Sequence, residues 1–358
     1  MAITRPTGLD RVRDQRIRRA VPLVTPAALL EDLPLTEDQA EVVLRGRSDI
    51  SAILSREDDR LLVVVGPCSV HDVEAALDYA RRLSEQAGDH DDDLVVAMRV
   101  YFEKPRTTTG WKGLINDPHL DGSGDVNTGL RRARELLLEV LDLGLPIALE
   151  FLDPITPQYI SDTVSWGAIG ARTTESQIHR QLGSGLSMPV GFKNRTDGNT
   201  QVAVDACRAA SSAHTFPGVD VTGTAAILHT TGNPDSHVIL RGGHGQPNYG
   251  VEPVAGTLAL LRSAGLPERL VIDASHDNSG KDPERQPGAA GGIGEQVAGG
   301  NAAIVGVMLE SFLVAGSQRI ADGNLVYGQS ITDPCMGWDQ TVSVLDGLAA
   351  SVRRRRGG

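Results

Sequence analysis

Charged and metal-binding side chains recur where the predicted strands of this chain end. From about Leu61 onward, short apolar runs rich in β-branched residues alternate with helix-like segments, which is typical of repeated strand–helix units. The residues at or just beyond the strand ends are Cys68, Arg99, Glu150, Arg172, Lys193, Arg241, His276 and Glu310. One such residue is usually a satisfied structural group, but a set in register indicates a shared site, because the carboxyl ends of parallel strands meet at one edge.

Half of these residues are cations, namely Arg99, Arg172, Lys193 and Arg241. They belong to a chain whose net charge is −12, which argues against general nucleic-acid binding. Uncompensated charge is costly to bury, and a guanidinium can bind phosphate or carboxylate through two parallel hydrogen bonds. The cations therefore predict a small polyanionic ligand.

A second set offers sulfur, nitrogen and oxygen ligands: Cys68, His276, Glu310 and, farther along, Asp333. Such a mixture suits a divalent transition metal, either Mn, Fe, Co or Zn. The four residues are far apart in the sequence, so spacing alone indicates the site only weakly. A lone cysteine is more often a small buried hydrophobe, and a lone histidine is more often a hydrogen-bonded core residue.

The predicted elements that position these side chains are strands that alternate with helices. The strand candidates are Leu61–Val65, Leu94–Val100, Pro146–Phe151, Ala168–Arg172, Val190–Lys193, His237–Arg241, Leu270–Asp273 and Ala303–Leu309. The helix candidates are Val73–Ala87, Thr128–Leu143, Pro157–Ser165, Thr200–Ser211 and Pro253–Ala264. Glycines crowd residues 280–300, and since each interior glycine costs about 1 kcal/mol, we expect a short or frayed helix there.

Eight strand–helix units with continuously apolar strands predict an α/β fold, a closed (β/α)8 barrel. A doubly wound open sheet is the alternative, disfavoured because no G-x-G-x-x-G motif follows the first strand. We expect an N-terminal extension over residues 1–55, the barrel over 56–345 with a β-hairpin inserted at about 214–230, and a basic, solvated tail over 346–358.

Composition predicts a cytoplasmic enzyme. Hydrophobic residues make up 40% of the chain, enough for a large core, and no apolar run approaches the roughly 20 residues of a membrane helix. The arginine-rich segment Met1–Ala20 has no apolar stretch and so does not resemble a secretory signal. An odd number of cysteines, 3 in all, argues against a disulfide framework.

Long stretches of the chain resemble the type I, aromatic-regulated branch of 3-deoxy-D-arabino-heptulosonate 7-phosphate (DAHP) synthases. The matching segments are GPCSVHD (66–72), MRVYFEKPRTTTGWKGLINDPHLDGS (98–123), ALEFLD (148–153), WGAIGARTTESQIHR (166–180), PVGFKNRTDG (189–198), VILRGG (238–243), IDASHDNS (272–279), GVMLES (306–311) and SITDPCMGW (330–338). The resemblance implies a (β/α)8 barrel that condenses phosphoenolpyruvate with erythrose 4-phosphate, the first step of the shikimate pathway.

The resemblance also assigns residues to roles. Phosphoenolpyruvate would lie against Arg99, Ala171, Arg172, Lys193 and Arg241, and erythrose 4-phosphate against Lys104, Pro105, Arg106 and Thr107. The metal, with Mn favoured, would be held by Cys68, His276, Glu310 and Asp333. Lys193 and His276 would relay protons, and Glu150 would offset positive charge that develops during the reaction.

An aromatic amino-acid effector and a homodimer or homotetramer are further implications. The effector slot would include Pro157, Gln158, Leu186, Ser187 and Phe216, facing the N-terminal extension of a neighbouring subunit. Asp14, the carboxylate available there, stands among the arginines Arg11, Arg13, Arg16, Arg18 and Arg19. We therefore expect inhibition by Phe, Tyr or Trp to be reduced.

The chain departs from the family pattern at Arg195, at Phe312, at the hairpin tip 220–224 and in the loop 243–246. These departures favour a divergent copy that serves a specialised aromatic pathway. Two other functions compete with the main one. The first is condensation with arabinose 5-phosphate to an eight-carbon acid, which is disfavoured by the Lys104–Thr107 segment. The second is a catalytically silent binding or regulatory barrel, which is disfavoured because every expected ligand is retained.

Overall fold

Eight parallel strands close into a barrel in the computed structural model, which describes Val12 and residues 14–106 and 108–357. The barrel strands are β1 (Leu61–Gly66), β2 (Leu94–Arg99), β3 (Ile147–Glu150), β4 (Trp166–Ile169), β5 (Val190–Lys193), β8 (His237–Leu240), β9 (Leu270–Asp273) and β10 (Ile304–Glu310). They follow chain order around the barrel, and β1 pairs with both β2 and β10. Every residue of these strands is buried, as expected for strands covered on both faces. The prediction of a closed (β/α)8 barrel is confirmed.

One strand boundary was wrong. The predicted strand Ala168–Arg172 is shifted, since β4 runs from Trp166 to Ile169 and residues 171–175 form turns. Trp166 lies inside the barrel, where its indole N–H donates to Nε2 of His237 at 3.1 Å. The shift places Arg172 in the turn after the strand rather than at its end.

The helices lie outside the barrel. They are α1 (Pro26–Asp32), α2 (Glu37–Ser55), α3 (Val73–Gly88), α4 (Val126–Asp142), α5 (Pro157–Ile160), α6 (Gln177–Gly185), α7 (Gln201–Ala210), α8 (Val251–Ser263), α9 (Gln286–Ala298) and α10 (Trp338–Gly357). A 3-10 turn, Ser161–Thr163, continues α5, and a second, Ile320–Asp322, lies near the C-terminus. The sequence analysis did not anticipate α6.

The glycine-rich segment forms a full helix, so the expectation of a short or frayed one is wrong. Helix α9 spans 13 residues and begins with a proline in its first turn, where proline is tolerated. Gly294 faces α10, and a Cβ at that position would lie 2.8 Å from Oγ of Ser351. Close packing between the two helices therefore offsets the low helix propensity of the glycines.

The N-terminal extension is part of the barrel's packing. Ile50, Ile53 and Leu54 of α2 belong to the same buried cluster as Leu62 and Val64 of β1. At Gly46 a Cβ would lie within 2.9 Å of Ser165 and Pro146, which precede β4 and β3. Helix α2 thus covers the amino ends of the strands, opposite the predicted site.

The inserted hairpin consists of β6 (Thr215–Val219) and β7 (Ala225–His229), paired antiparallel. Its tip touches the N-terminal extension of the same chain, because the backbone N–H of Ala27 donates to the carbonyl of Val221 at 2.8 Å. A second small sheet pairs β11 (Val314–Ser317) with β12 (Gln329–Ser330). This second sheet leads directly into the segment that carries Asp333.

The basic C-terminal run is helical and paired, so the expectation of a solvated tail from residue 346 is wrong. Helix α10 continues to Gly357. Arg353 and Arg356 bind the buried carboxylate of Asp93 at 2.5 and 2.8 Å, and Arg354 binds Glu295 of α9 at 2.7 Å. The positive charges of this helix are thus neutralised by acidic groups on several neighbouring elements.

No helix in the described part of the chain is both long and apolar enough to cross a membrane.

Candidate active site

The carboxyl ends of the barrel strands enclose one pocket that brings most of the predicted site residues together. Its lining residues are Cys68, Arg99, Tyr101, Glu103, Lys104, Pro105, Glu150, Gly170, Ala171, Arg172, Lys193, Thr196, Arg241 and His276. Glu310 and Asp333 adjoin the pocket through contacts with Arg99 and Lys104. The geometry places these side chains at one site, while their individual roles stay predictions.

The candidate metal ligands converge from three parts of the chain. Cys68 follows β1, Glu310 ends β10, and Asp333 lies beyond β12, yet ligand atoms of the three all fall within 4.8 Å of one another. The backbone of Asp333 is fixed because its carbonyl accepts a hydrogen bond from Oγ of Ser330 at 2.9 Å. A thiol and two carboxylates in this arrangement fit a divalent transition metal.

His276 stands at the edge of this group. Its Nε2 lies 3.9 Å from Oε1 of Glu310, and its Nδ1 lies 2.8 Å from Oδ2 of Asp273. Burial lowers the pKa of His276, so the neutral form donates from Nδ1 to Asp273 and leaves the Nε2 lone pair free. A carboxylate behind the imidazole is the usual support of a metal-binding histidine. The sequence analysis gave no role to Asp273.

The ammonium group of Lys104 compensates the negative charge of this group. Its Nζ donates to Sγ of Cys68 at 2.8 Å and to Oδ2 of Asp333 at 2.9 Å. Burial opposes the charge of Lys104, but the surrounding Cys68, Asp333 and Glu310 raise its pKa. Burial and then Glu310 raise the pKa of the Cys68 thiol. The nearby Lys104 ammonium has the opposite effect and lowers the pKa of this thiol.

Arg99 forms the floor of the pocket. It is 1% exposed, its Nη2 donates to Glu310 at 2.8 Å and to the carbonyl of Cys68 at 3.1 Å, and its Nε donates to the carbonyl of Pro67 at 3.1 Å. The guanidinium lies flat on the ring of Tyr101, with Cζ 3.6 Å from the ring centroid. This arrangement holds a positive charge at a fixed position below the pocket.

The other three cations stand around the wall. Lys193 is buried and donates to Asp273 at 2.9 Å, and Arg241 donates to Asp277 at 2.7 Å. Arg172 is exposed at the rim, in the turn after β4. Together these cations form a positively charged cup that suits an anion with more than one charged group.

Glu150 brings negative charge to the opposite wall. It ends β3, is 7% exposed, and lies against Gly170 so closely that a Cβ there would be 2.3 Å from its Oε1. A larger residue at position 170 would displace this carboxylate. The carboxylate therefore stands where positive charge on a bound reactant would be stabilised.

Three residues of the segment predicted to bind the second substrate, Lys104, Pro105 and Arg106, are described by the structure. Lys104 and Pro105 line the pocket, and the N–H of Lys104 donates to the carbonyl of Lys112 at 2.8 Å, which closes the loop between them. Arg106 is exposed and lies against Gly110, where a Cβ would be 2.6 Å from its Nη2. Thr107 lies outside the described residues.

Tyr101 and Glu103 are two pocket residues that the sequence analysis missed. With Arg99 they form an alternating series on extended backbone, and alternation places i, i+2 and i+4 on one side. That spacing could have found them. Burial, and then the nearby carboxylate of Asp153, raise the pKa of Glu103 to about 7.

The departures from the family pattern leave the ligand positions intact. Arg195 lies in the loop after β5 and pairs with Glu175 at 3.0 Å and Asp197 at 3.1 Å. Phe312 is buried, with its ring centroid 6.1 Å from that of Tyr79. A two-residue bridge between Gly243 and Gln246 closes the altered loop after β8.

The residues predicted for the effector slot lie on α5, after α6 and on the hairpin. Leu186 and Ser187 follow α6, whose end adjoins the hairpin because Oγ of Ser184 and Oγ1 of Thr230 are 2.7 Å apart. Phe216 lies on β6 of that hairpin. Helix α5, which carries Pro157 and Gln158, packs against α1 and α4, and α1 contacts the hairpin tip, where the N–H of Ala27 donates to the carbonyl of Val221. Asp14, Arg16, Arg18 and Arg19 are exposed, and Arg11 and Arg13 lie outside the described residues.

Comparisons with known proteins agree with this geometry. The chain is 55% identical over 345 residues to phospho-2-dehydro-3-deoxyheptonate aldolase, Phe-sensitive, from Escherichia coli (strain K12), covering 96% of this chain and 98% of the relative. It is 52% identical to the Trp-sensitive protein of Enterobacter agglomerans, covering 97% of this chain and 100% of the relative. The solved structure of phospho-2-dehydro-3-deoxyheptonate aldolase from Francisella tularensis SCHU S4 superposes with a TM-score of 0.94 at 49% identity, covering 95% of this chain and 100% of the other. Residues 33–346 match the DAHP synthetase I family, and this chain belongs to that family.

Proposed function

We propose that this protein is a DAHP synthase, which condenses phosphoenolpyruvate, erythrose 4-phosphate and water to DAHP and inorganic phosphate. The observation that carries the proposal is the pocket itself. It combines a cup of four cations with a thiol and carboxylate donor set at the carboxyl ends of the barrel strands. The names of relatives that match nearly the whole chain support the same activity.

The cations would hold phosphoenolpyruvate by its two charged ends. Arg99 and Lys193 are buried and suit the carboxylate, whereas Arg172 at the rim suits the phosphate, together with the backbone of Ala171. Arg241 would complete the grip. Two anchors separated in this way fix the direction in which the reacting C3 carbon faces.

Carbon–carbon bond formation then follows from the charges around the substrate. C3 of phosphoenolpyruvate attacks the aldehyde carbon of erythrose 4-phosphate, and the aldehyde oxygen takes up a proton. Positive charge develops at C2, where the carboxylate of Glu150 would stabilise it. Water adds at C2 and loses a proton, and the tetrahedral intermediate expels phosphate by cleavage of the C–O bond, which leaves the keto acid. Lys193 and His276 are the candidate proton carriers.

A divalent metal held by Cys68, His276, Glu310 and Asp333 would supply Lewis acidity toward the aldehyde oxygen. The type of these donors, and the spacing of Cys68, Glu310 and Asp333, support such an ion. The contacts of the Lys104 ammonium with Cys68 and Asp333 support a site that accommodates positive charge. Mn is our proposal among Mn, Fe, Co and Zn. A cytosolic location is consistent with three free, buried cysteines.

The test is a substrate panel with purified protein. Loss of the enol of phosphoenolpyruvate and release of phosphate should require erythrose 4-phosphate and a divalent metal, and chelator should abolish both. Arabinose 5-phosphate should be a poor substrate. Turnover with the pentose alone would assign the eight-carbon acid instead, and no turnover with any aldose phosphate would indicate a silent barrel.

We also infer that an aromatic amino acid binds beside the hairpin in a homodimer or homotetramer. The relatives named Phe-sensitive and Trp-sensitive support an effector of this class, and Leu186, Ser187 and Phe216 offer an apolar slot with a polar edge. Calorimetric titration with Phe, Tyr and Trp should show binding that a Ser187→Phe variant loses. Binding that persists in that variant would place the effector elsewhere.

A further inference from the structure

The hydroxyl of Tyr101 is a buried polar group without a partner at the centre of the candidate active site. Tyr101 follows β2, is 2% exposed and lines the pocket. Its hydroxyl oxygen makes no hydrogen bond within the described part of the chain. An unpaired buried hydroxyl is destabilising, so such a group in the candidate active site points to a partner that arrives with the substrate.

Its neighbour Arg99 has little hydrogen-bonding capacity left. A guanidinium has five N–H donors, and four are committed: one from Nε to Pro67, one from Nη1 to the sulfur of Met308, and two from Nη2 to Cys68 and Glu310. One N–H therefore remains for a bound anion. Lys193, which donates to Asp273 at 2.9 Å, has donors left for the same carboxylate. A carboxylate has about four acceptor sites, so Arg99 and Lys193 together leave room for a further donor at the floor of the pocket.

Tyr101 is placed to be that donor. Its ring lies against the Arg99 guanidinium, with Cζ 3.6 Å from the ring centroid, and both residues line the pocket. The hydroxyl stays protonated, because burial raises the pKa of Tyr101 and outweighs the opposing effect of Arg99. A neutral donor also suits a site where the carboxylates of Glu150, Asp273 and Glu310 lie nearby.

We propose that Tyr101 is a positioning residue that donates a hydrogen bond to the carboxylate of bound phosphoenolpyruvate beside the single free N–H of Arg99. This inference deepens the proposed function and rests on it. Erythrose 4-phosphate is a less suitable partner, because Arg106, the residue assigned to its phosphate, is exposed at the rim rather than at the floor.

The test compares Tyr101→Phe with Tyr159→Phe in metal-loaded protein without amino-acid effectors. Both tyrosines are 2% exposed, but the hydroxyl of Tyr159 donates to the carbonyl of Val24 at 2.6 Å. Tyr101→Phe should lower kcat/KM for phosphoenolpyruvate by roughly tenfold or more, the effect of losing a hydrogen bond to a charged group. Its KM for erythrose 4-phosphate should stay unchanged, and its thermal midpoint should not fall. Tyr159→Phe should show the opposite pattern, a lower midpoint with unchanged kcat/KM.

Direct titration of phosphoenolpyruvate into both variants separates binding from turnover. Tyr101→Phe should bind phosphoenolpyruvate more weakly, and Tyr159→Phe should bind it as the unmodified protein does. The proposal is overturned if kcat/KM for phosphoenolpyruvate in Tyr101→Phe stays within twofold of the unmodified protein. It is equally overturned if the defect appears in the KM for erythrose 4-phosphate, or if the midpoint falls as in Tyr159→Phe. Since the unmodified protein is assayed alongside, its inactivity would refute the proposed function instead.

Discussion

A Glu103→Gln variant should gain stability relative to the unmodified protein as the pH rises from acidic to alkaline. Glu103 is 3% exposed, accepts a hydrogen bond from Oγ1 of Thr156 at 3.1 Å, and faces the carboxylate of Asp153. Burial is the main reason why its pKa rises to about 7 from a usual value of 4.5. Glutamine keeps the shape and the accepting oxygen but never carries the charge.

The sign and size follow from proton linkage. The folded protein holds the proton more tightly than the unfolded chain, so ionisation destabilises the fold as pH rises above about 4.5, and the penalty is complete above about 7. A shift of about 2.5 units corresponds to about 3 kcal/mol at pH 8, whereas at pH 5 about 1 kcal/mol has developed. The advantage of Glu103→Gln should therefore grow by about 2 kcal/mol between these two pH values, whatever constant offset the amide introduces.

Thermal unfolding measures this difference. An unfolding entropy of about 2.1 cal/mol/K per residue over 358 residues converts about 2 kcal/mol into roughly 3 °C. The matched control is Glu85→Gln, on the exposed face of α3, which should change the midpoint equally at pH 5 and pH 8. A Glu103→Gln advantage that is flat with pH, or larger at pH 5, would refute the reasoning that burial keeps this carboxyl protonated.

Three further predictions concern the pocket. Cys68→Ala should lose bound metal, which elemental analysis after gel filtration would measure. The thermal midpoint of the metal-free variant should stay near that of the metal-free unmodified protein. Full retention of metal would contradict the ligand set. Arg172→Ala should lower kcat/KM for phosphoenolpyruvate by roughly 10- to 100-fold. It should cause no loss of stability, since this side chain is exposed at the rim. An unchanged kcat/KM would mean that Arg172 does not bind the phosphate. The N–H of Cys68 donates to Sγ of Cys335 at 3.3 Å, so protein aged in air with metal should form a disulfide between them and lose activity. Cys335→Ser should resist this inactivation, and mass spectrometry that finds no bridge in the aged parent would count against it.

The sequence predicted the barrel well because each strand is short, apolar and buried on both faces, which leaves a signal in every unit. It failed where packing between elements decides the outcome. Helix α9 forms despite its glycines because Gly294 lets α10 approach. The basic run Arg353–Arg356 is ordered because Asp59, Asp93 and Glu295 lie beside it, and no local pattern reveals such distant partners.

The site shows the same division. Two features of the sequence predicted the site by themselves: the residue types at the strand ends and the family resemblance. They indicated which side chains belong to one pocket, and that this pocket suits a phosphorylated substrate and a metal. Only the tertiary structure decided how the charges are balanced: Lys104 between Cys68 and Asp333, and Asp273 behind both His276 and Lys193. The physical reason is that the repeated strand–helix pattern of the sequence shows which residues stand at strand ends. The partner of a hydrogen bond, in contrast, depends on distances between elements that are far apart in sequence.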